Sequence, residues 1–184
     1  IAAIETAVAE LASLPAPLYL AVNASPATVL DARLGSVLER LPFDRLVLEI
    51  TEHDEIAEVG AINAALDPFR AAGLRLAVDD AGAGYSGLQQ ILSLKPDLIK
   101  LDRTLIQDIH RDPAKRSLAV ALASFAQATD SRIIAEGVET EAELQMLRAA
   151  GIDNIQGYLL GRPMALEAAM TLTTNPARHA LGSA

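Results

Sequence analysis

The chain has 184 residues, of which 51% are hydrophobic and 21% charged, with no cysteine and a formal net charge of −9. That size and balance suit one globular domain with a sizeable core and argue against disorder. The negative charge, with no basic cluster interleaved with aromatics, excludes a surface that coats a nucleic-acid polymer, and the lack of cysteine excludes disulfides and thiolate chemistry.

IAAIETAVAELASL opens the chain as a helix with Ile1, Ile4, Val8 and Leu11 on one face, so the chain is expected to begin inside a structure. The weakly apolar stretch from Leu11 to Leu30 holds Pro15, Pro17, Asn23, Ser25 and Pro26 and cannot be a membrane span. Within it, LYLAVNAS reads as a strand ended by Asn23 and Pro26, and TVLDARLGSVLERL follows as a helix with Val29, Leu30, Leu34, Val37, Leu38 and Leu41 at helical spacing. LVLEIT is an apolar strand of the kind buried on both faces, and Ile56 to Ala72 is a helix stopped by Gly73.

LRLAVDD and PDLIKLD repeat the strand pattern, separated by the glycine-rich loop AGAGYSG and a short helix, LQQILSL, closed off by Pro96. A helix with Leu118, Leu122, Phe125 and Ala126 inward, the strand RIIAEGV, the helix EAELQMLRAAG and a short strand NIQGYLL complete the pattern. The tail NPARHALGSA has no apolar period and is expected to fray, which places the domain at 1–172 and a flexible tail at 173–184. Alternating strands and helices predict an α/β fold with a TIM-like (β/α) barrel, incomplete at the N-terminus. Six strands are visible and a closed barrel needs about two more, so either the sheet is open or further strands lie upstream of Ile1.

The strands share one feature: each turns polar at its C-terminal end, at Asn23, Glu49, Asp79 with Asp80, Lys100 and Glu136. That rim is where parallel barrels keep their active sites. Carboxylates converging there need compensation, and oxygen donors with an amide, without cysteine or histidine, favour a hard divalent ion, Mg2+ or Mn2+. Adjacent Asp79 and Asp80 suit a pair of ions about 3.5–4 Å apart, the arrangement that supports in-line displacement at phosphorus. Lys100 would then orient the attacking water or neutralise developing charge, and Glu136 would accept a proton.

Each residue alone has a plainer explanation. Thr51 with Asp54 resembles a helix cap, Asp79 and Asp80 suit a turn, Asn23 suits an Asx turn, and Lys100 suits a surface charge. Taken together, polar residues at the same end of every strand favour a site. His53, His110 and His179 lack ligand spacing and are expected to be solvated, and Gly82 with Gly84 does not make a dinucleotide fingerprint.

Across Tyr19 to Pro163 the motifs VNAS, LEITE, DDAGAGYSG, IKLD, AEGVET and QGYLLGRP resemble, in order and spacing, the EAL domain family of cyclic di-GMP phosphodiesterases. The resemblance implies a TIM-like barrel that binds two Mg2+ or Mn2+ ions and opens cyclic di-GMP to linear pGpG. Asn23, Glu49 and Asp79 resemble the ligands of one ion, and Asp79 and Asp80 contacts to the second. Lys100 resembles the water-orienting lysine, Glu136 the acid near the second ion, and Glu139 its supporting neighbour. Gln156 resembles a water- or substrate-positioning amide, and Glu52 the residue that steadies the glycine loop.

The Glu-Ala-Leu signature is absent from the 184 residues and is expected on a strand upstream of Ile1, so weak metal binding and little turnover are expected of the chain as it stands. The loop also departs from the family's usual DDFGTGYSS at Ala81, Ala83 and Gly87. A cytoplasmic homodimer, attached to a sensory or GGDEF domain, is what the family implies. Two alternatives stay open: a non-catalytic module that binds cyclic di-GMP or a protein partner, and an enolase-like site in which Lys100 abstracts a proton from carbon.

Overall fold

The structure, a computed structural model, describes residues 1–11, 13–39, 42–51, 59–81 and 87–173. In chain order the elements are α1 (Ala2–Leu11), β1 (Leu20–Asn23), α2 (Pro26–Val29), α3 (Ala32–Leu38), a 3-10 turn (Phe43–Arg45), β2 (Leu46–Thr51), α4 (Val59–Ala71) and β3 (Arg75–Ala81). They continue with α5 (Gly87–Leu94), β4 (Leu98–Leu101), α6 (Arg103–Ile106), α7 (Pro113–Ala128), β5 (Arg132–Ala135), α8 (Glu141–Ala149), β6 (Asn154–Ile155) and α9 (Leu166–Thr173).

The strands form one sheet in sequence order, every neighbouring pair parallel. This is the curled wall of a TIM-like barrel, left open between β1 and β6 among the described residues. Parallel strands joined by helices are covered on both faces, which is why β2 and β4 read as nearly unbroken apolar runs. Alternate residues divide the faces. Leu46, Leu48, Ile50, Leu76, Val78, Ile99, Leu101, Ile133 and Ala135 join the main core with the helices, each of the larger side chains stabilising by about 1.5–3 kcal/mol on burial. Residues of the other parity, Val47, Ala77 and Leu98 with Ile134 against them, form a small separate cluster on the concave face.

Several sequence expectations need correction. The stretch from Thr28 to Leu41 is not one helix: Asp31 leaves helical geometry and its carboxylate accepts from Arg33 N–H, capping a new helix, α3. Leu118 of α7 is 46% exposed rather than inward, Ala119, Leu122 and Ala126 making the buried stripe. NIQGYLL contributes a strand of only two residues, Asn154–Ile155, because Gln156 and Gly157 turn back over the segment after β5. His110 is not solvated: it is half-buried, and its Nδ1 is sealed from water without a hydrogen-bond partner. Helices α6 and α9 were not anticipated. Glu52, His53, Asp54, His179 and the loop residues 82–86 lie outside the described residues, as does the expected tail from 174 onward.

Candidate active site at the C-terminal rim of the sheet

Period-two alternation puts Asn23, Glu49, Asp79, Lys100 and Glu136 on the parity that faces the concave side, one step above the Val47, Ala77, Leu98 and Ile134 cluster. Asp80 follows Asp79 directly and would point to the helix side in a regular strand. The sheet avoids this with an irregularity: the β3–β4 register shifts between Val78 and Ala81, and Asp80 takes a positive φ of 60°. Its N–H donates to Asp79 Oδ1 at 2.9 Å. One carboxylate oxygen from each of Asp79, Asp80 and Glu136 then lies within 4.8 Å of the others.

Lys100 is the centre of the arrangement and is only 5% exposed. Its Nζ donates to Glu49 Oε2 at 2.9 Å and makes ion pairs with Asp79 Oδ2 at 3.0 Å and Glu136 Oε1 at 2.8 Å. Burial alone would push the ammonium toward losing its proton. The hydrogen bonds to Glu136, Glu49 and Asp79, with the charge of Glu49, outweigh burial and hold its pKa above the ordinary lysine value. Glu136 is raised above the usual carboxylate range, first by burial and further by the Asp79 and Glu49 charges, against the pull of Lys100.

The remaining expected residues are placed less centrally. Asn23 pairs in register with Glu49 at the end of β1 and is exposed. Gln156 is exposed as well; its backbone N–H donates to Ala135 O at 2.8 Å and its carbonyl accepts from Val138. Glu139 faces Arg103, Nη2 to Oε1 3.0 Å, rather than the Lys100 cluster. Two residues of this rim escaped the sequence reading. Arg103 stands three residues after Lys100 as Glu139 stands three after Glu136, a spacing that could have suggested the pair. Glu143 completes a capping box with Thr140, a pattern visible in TEAE, and additionally accepts from Asp108 N–H at 3.0 Å, which no local pattern signals.

Three carboxylates, Glu49, Asp79 and Glu136, therefore face one ammonium group, and Asp80 stands beside two of them. The donors are all oxygen, closely spaced and partly buried, a set that fits hard divalent cations and not zinc.

A parallel β/α half-barrel with acids and a buried lysine at its C-terminal rim defines the class, and comparison with known proteins supplies the family. The EAL domain model matches residues 2–163, and the chain belongs to that family. It is 33% identical over 174 residues to an uncharacterised signalling protein of Caulobacter vibrioides (strain ATCC 19089 / CIP 103742 / CB 15), covering 91% of the chain and 22% of that protein. It is 36% identical over 153 residues to the cyclic di-GMP phosphodiesterase PdeR of Escherichia coli (strain K12), covering 80% of the chain and 23% of the relative. The chain thus spans less than a quarter of the length of these relatives. Among solved structures, the EAL domain of DcpA from Mycobacterium smegmatis superposes with a TM-score of 0.85 at 28% identity, over 93% of this chain and 82% of that one. BlrP1 of Klebsiella pneumoniae, in a complex with calcium and cyclic di-GMP, gives 0.77 at 33% identity, over 88% and 43%.

Proposed function

We propose that the chain hydrolyses one phosphodiester bond of cyclic di-GMP to give linear pGpG. The observation that carries this reading is Lys100, buried at the rim within 3.0 Å of carboxylates from β2, β3 and the end of β5. The cyclic di-GMP complex of a relative supports the substrate, and its calcium supports a divalent ion. Asn23, Glu49 and Asp79 would hold one ion, and Asp79 and Asp80 would contact a second. Two Mg2+ or Mn2+ ions, when bound, supply positive charge for the phosphate oxygens and for an attacking water.

The chain's own residues do the rest. Lys100 donates to the water and fixes its line of approach, and Glu136, whose raised pKa suits a base, takes the water's proton. The water oxygen bonds to phosphorus, the bond to a ribose oxygen breaks, and that oxygen is protonated from solvent. Gln156 positions substrate, Glu52 steadies the glycine loop, and Glu139 supports the turn that carries Glu136.

Incubated with Mn2+ and cyclic di-GMP, the chain is expected to release pGpG slowly, without the Glu-Ala-Leu strand, and Lys100→Met to lower that rate by a further factor of about 10²–10³. A second reading, a module that binds cyclic di-GMP without cutting it, is favoured by the full engagement of Lys100 with three acids. Calorimetric binding of cyclic di-GMP with no pGpG released selects it. Absence of both binding and turnover overturns both readings. The relatives' greater length supports an attached sensory or GGDEF domain in the whole protein, and no described helix is long and apolar enough to cross a membrane. We also propose a cytoplasmic homodimer, which light scattering on the purified chain tests.

A further inference from the structure

The end of β4 and the connection that follows it meet the segment after β5 at two points in matched register. Lys100 faces Glu136 at 2.8 Å, and three residues further along each connection Arg103 Nη2 faces Glu139 Oε1 at 3.0 Å. Between the two contacts sits Gly137, at φ 66°. A Cβ there would lie 2.6 Å from Arg103 Cγ, 2.7 Å from its Cβ and 2.9 Å from its Cδ, so the arginine stem rests directly on the backbone of the turn that carries Glu136. Arg103 itself has a firm base. Asp102 caps α6 through Thr104 N–H at 2.8 Å, and the next residues of the helix, Leu105 and Ile106, are buried. On the other side of the turn, Glu136 N–H donates to Leu101 O and Val138 N–H to Gln156 O, both at 3.1 Å.

We propose that Arg103 is a positioning residue for Glu136. Its stem presses on Gly137 and its guanidinium takes up Glu139, so the segment from Glu136 to Glu139 stays fixed against the β4–α6 connection and Glu139 is kept from competing for Lys100. Arg103 and Glu139 side chains are 52% and 40% exposed, so the pair adds little to global stability. Its effect is on the placement of one carboxylate, where small displacements cost rate and metal affinity. The kinetic part of this inference rests on the phosphodiesterase reading; the metal-binding and amide-exchange parts do not.

The test compares Arg103→Met, Arg103→Lys, Arg103→Ala, Glu139→Gln and the double variant R103M/E139Q in the full chain. Arg103→Met is expected to weaken Mn2+ binding, measured by calorimetry, about tenfold, and to lower kcat by about tenfold or more with KM within about twofold. Its melting temperature should move by no more than about 2 °C. Glu139→Gln should reproduce these losses, the double variant should be no worse than the worse single one, and Arg103→Lys should recover part of them. Arg103→Ala should in addition speed amide exchange at Val138 about tenfold.

Wild-type Mn2+ affinity and kcat in both Arg103→Met and Arg103→Ala would overturn the proposal, as would a raised KM at unchanged kcat, or losses that simply add. If the wild-type chain binds Mn2+ but releases no pGpG, the phosphodiesterase reading fails while Mn2+ affinity still decides the role of Arg103. If it binds no Mn2+, the Val138 exchange rate in Arg103→Ala decides alone.

Discussion

Lys100 shows how one side chain can hold a site together and ready it for a ligand at once. Removing it leaves buried Glu49 and half-buried Asp79 and Glu136 without their counter-charge, so Lys100→Met is expected to destabilise the metal-free chain by about 2–4 kcal/mol near pH 7. The loss should shrink when Mn2+ is added. It should also shrink as pH is lowered toward about 5, because Glu136, already raised above the usual carboxylate range by burial, takes up a proton more readily once the pull of Lys100 is gone. Thermal melts of both proteins, with and without Mn2+, check this; equal melting temperatures under all conditions would mean that the three ion pairs contribute nothing net. An exposed residue behaves differently. The Arg33 guanidinium beside Asp31 holds that carboxyl down at about 2, yet both sit at the surface, and their effect is confined to starting α3.

At the scale of elements, the site depends on how neighbouring rim loops are tied. Glu143, 4% exposed, accepts from Asp108, Glu139 and Thr140 N–H groups, joining the connection after α6 to the start of α8. Burial would raise its pKa, but these donors outweigh burial and lower it below 4.5. An acid depressed in the folded state stabilises fully above its unfolded value and loses that contribution as pH falls through the folded value. Wild type should therefore lose stability from about pH 4.5 downward more steeply than Glu143→Gln, as urea midpoints over that range will show. Gly157 makes the second tie: a Cβ there would collide with the backbone N and O of Val138, so Gly157→Ala is expected to cost about 1–3 kcal/mol and to loosen the loop after β5. Unchanged stability in that variant would show that the two loops can separate freely.

For the molecule as a whole, acids gathered on one rim of a chain with net charge −9 lead to the expectation that divalent ions stabilise the folded state. At a concentration about 100 times its dissociation constant, Mn2+ should add about 2.7 kcal/mol and raise the melting temperature by about 5–10 °C, an effect reversed by a chelator and reduced in Asp80→Asn. A melt indifferent to Mn2+ in both proteins would count against the metal centre.

Much of this arrangement was legible in the residues. β1 to β5 appear as apolar, β-branched runs, and a polar residue closing each run at one parity is enough to place Asn23, Glu49, Asp79, Lys100 and Glu136 at a common rim. The break at Asp31 and the brief β6 were not legible, because helical spacing persists through TVLDARLGSVLERL and NIQGYLL has the composition of a longer strand. Local pattern alone settled the fold class, the end of the sheet that carries chemistry and the oxygen-only donor set, since alternation and strand ends are properties of neighbours in sequence. Tertiary structure alone decided that Lys100 is shared by three acids, that a shift in strand register turns Asp80 toward the same mouth, and that Arg103 lies across Gly137. Those contacts join residues far apart in the chain, and their partners are fixed only when the sheet curls and its loops close over one another.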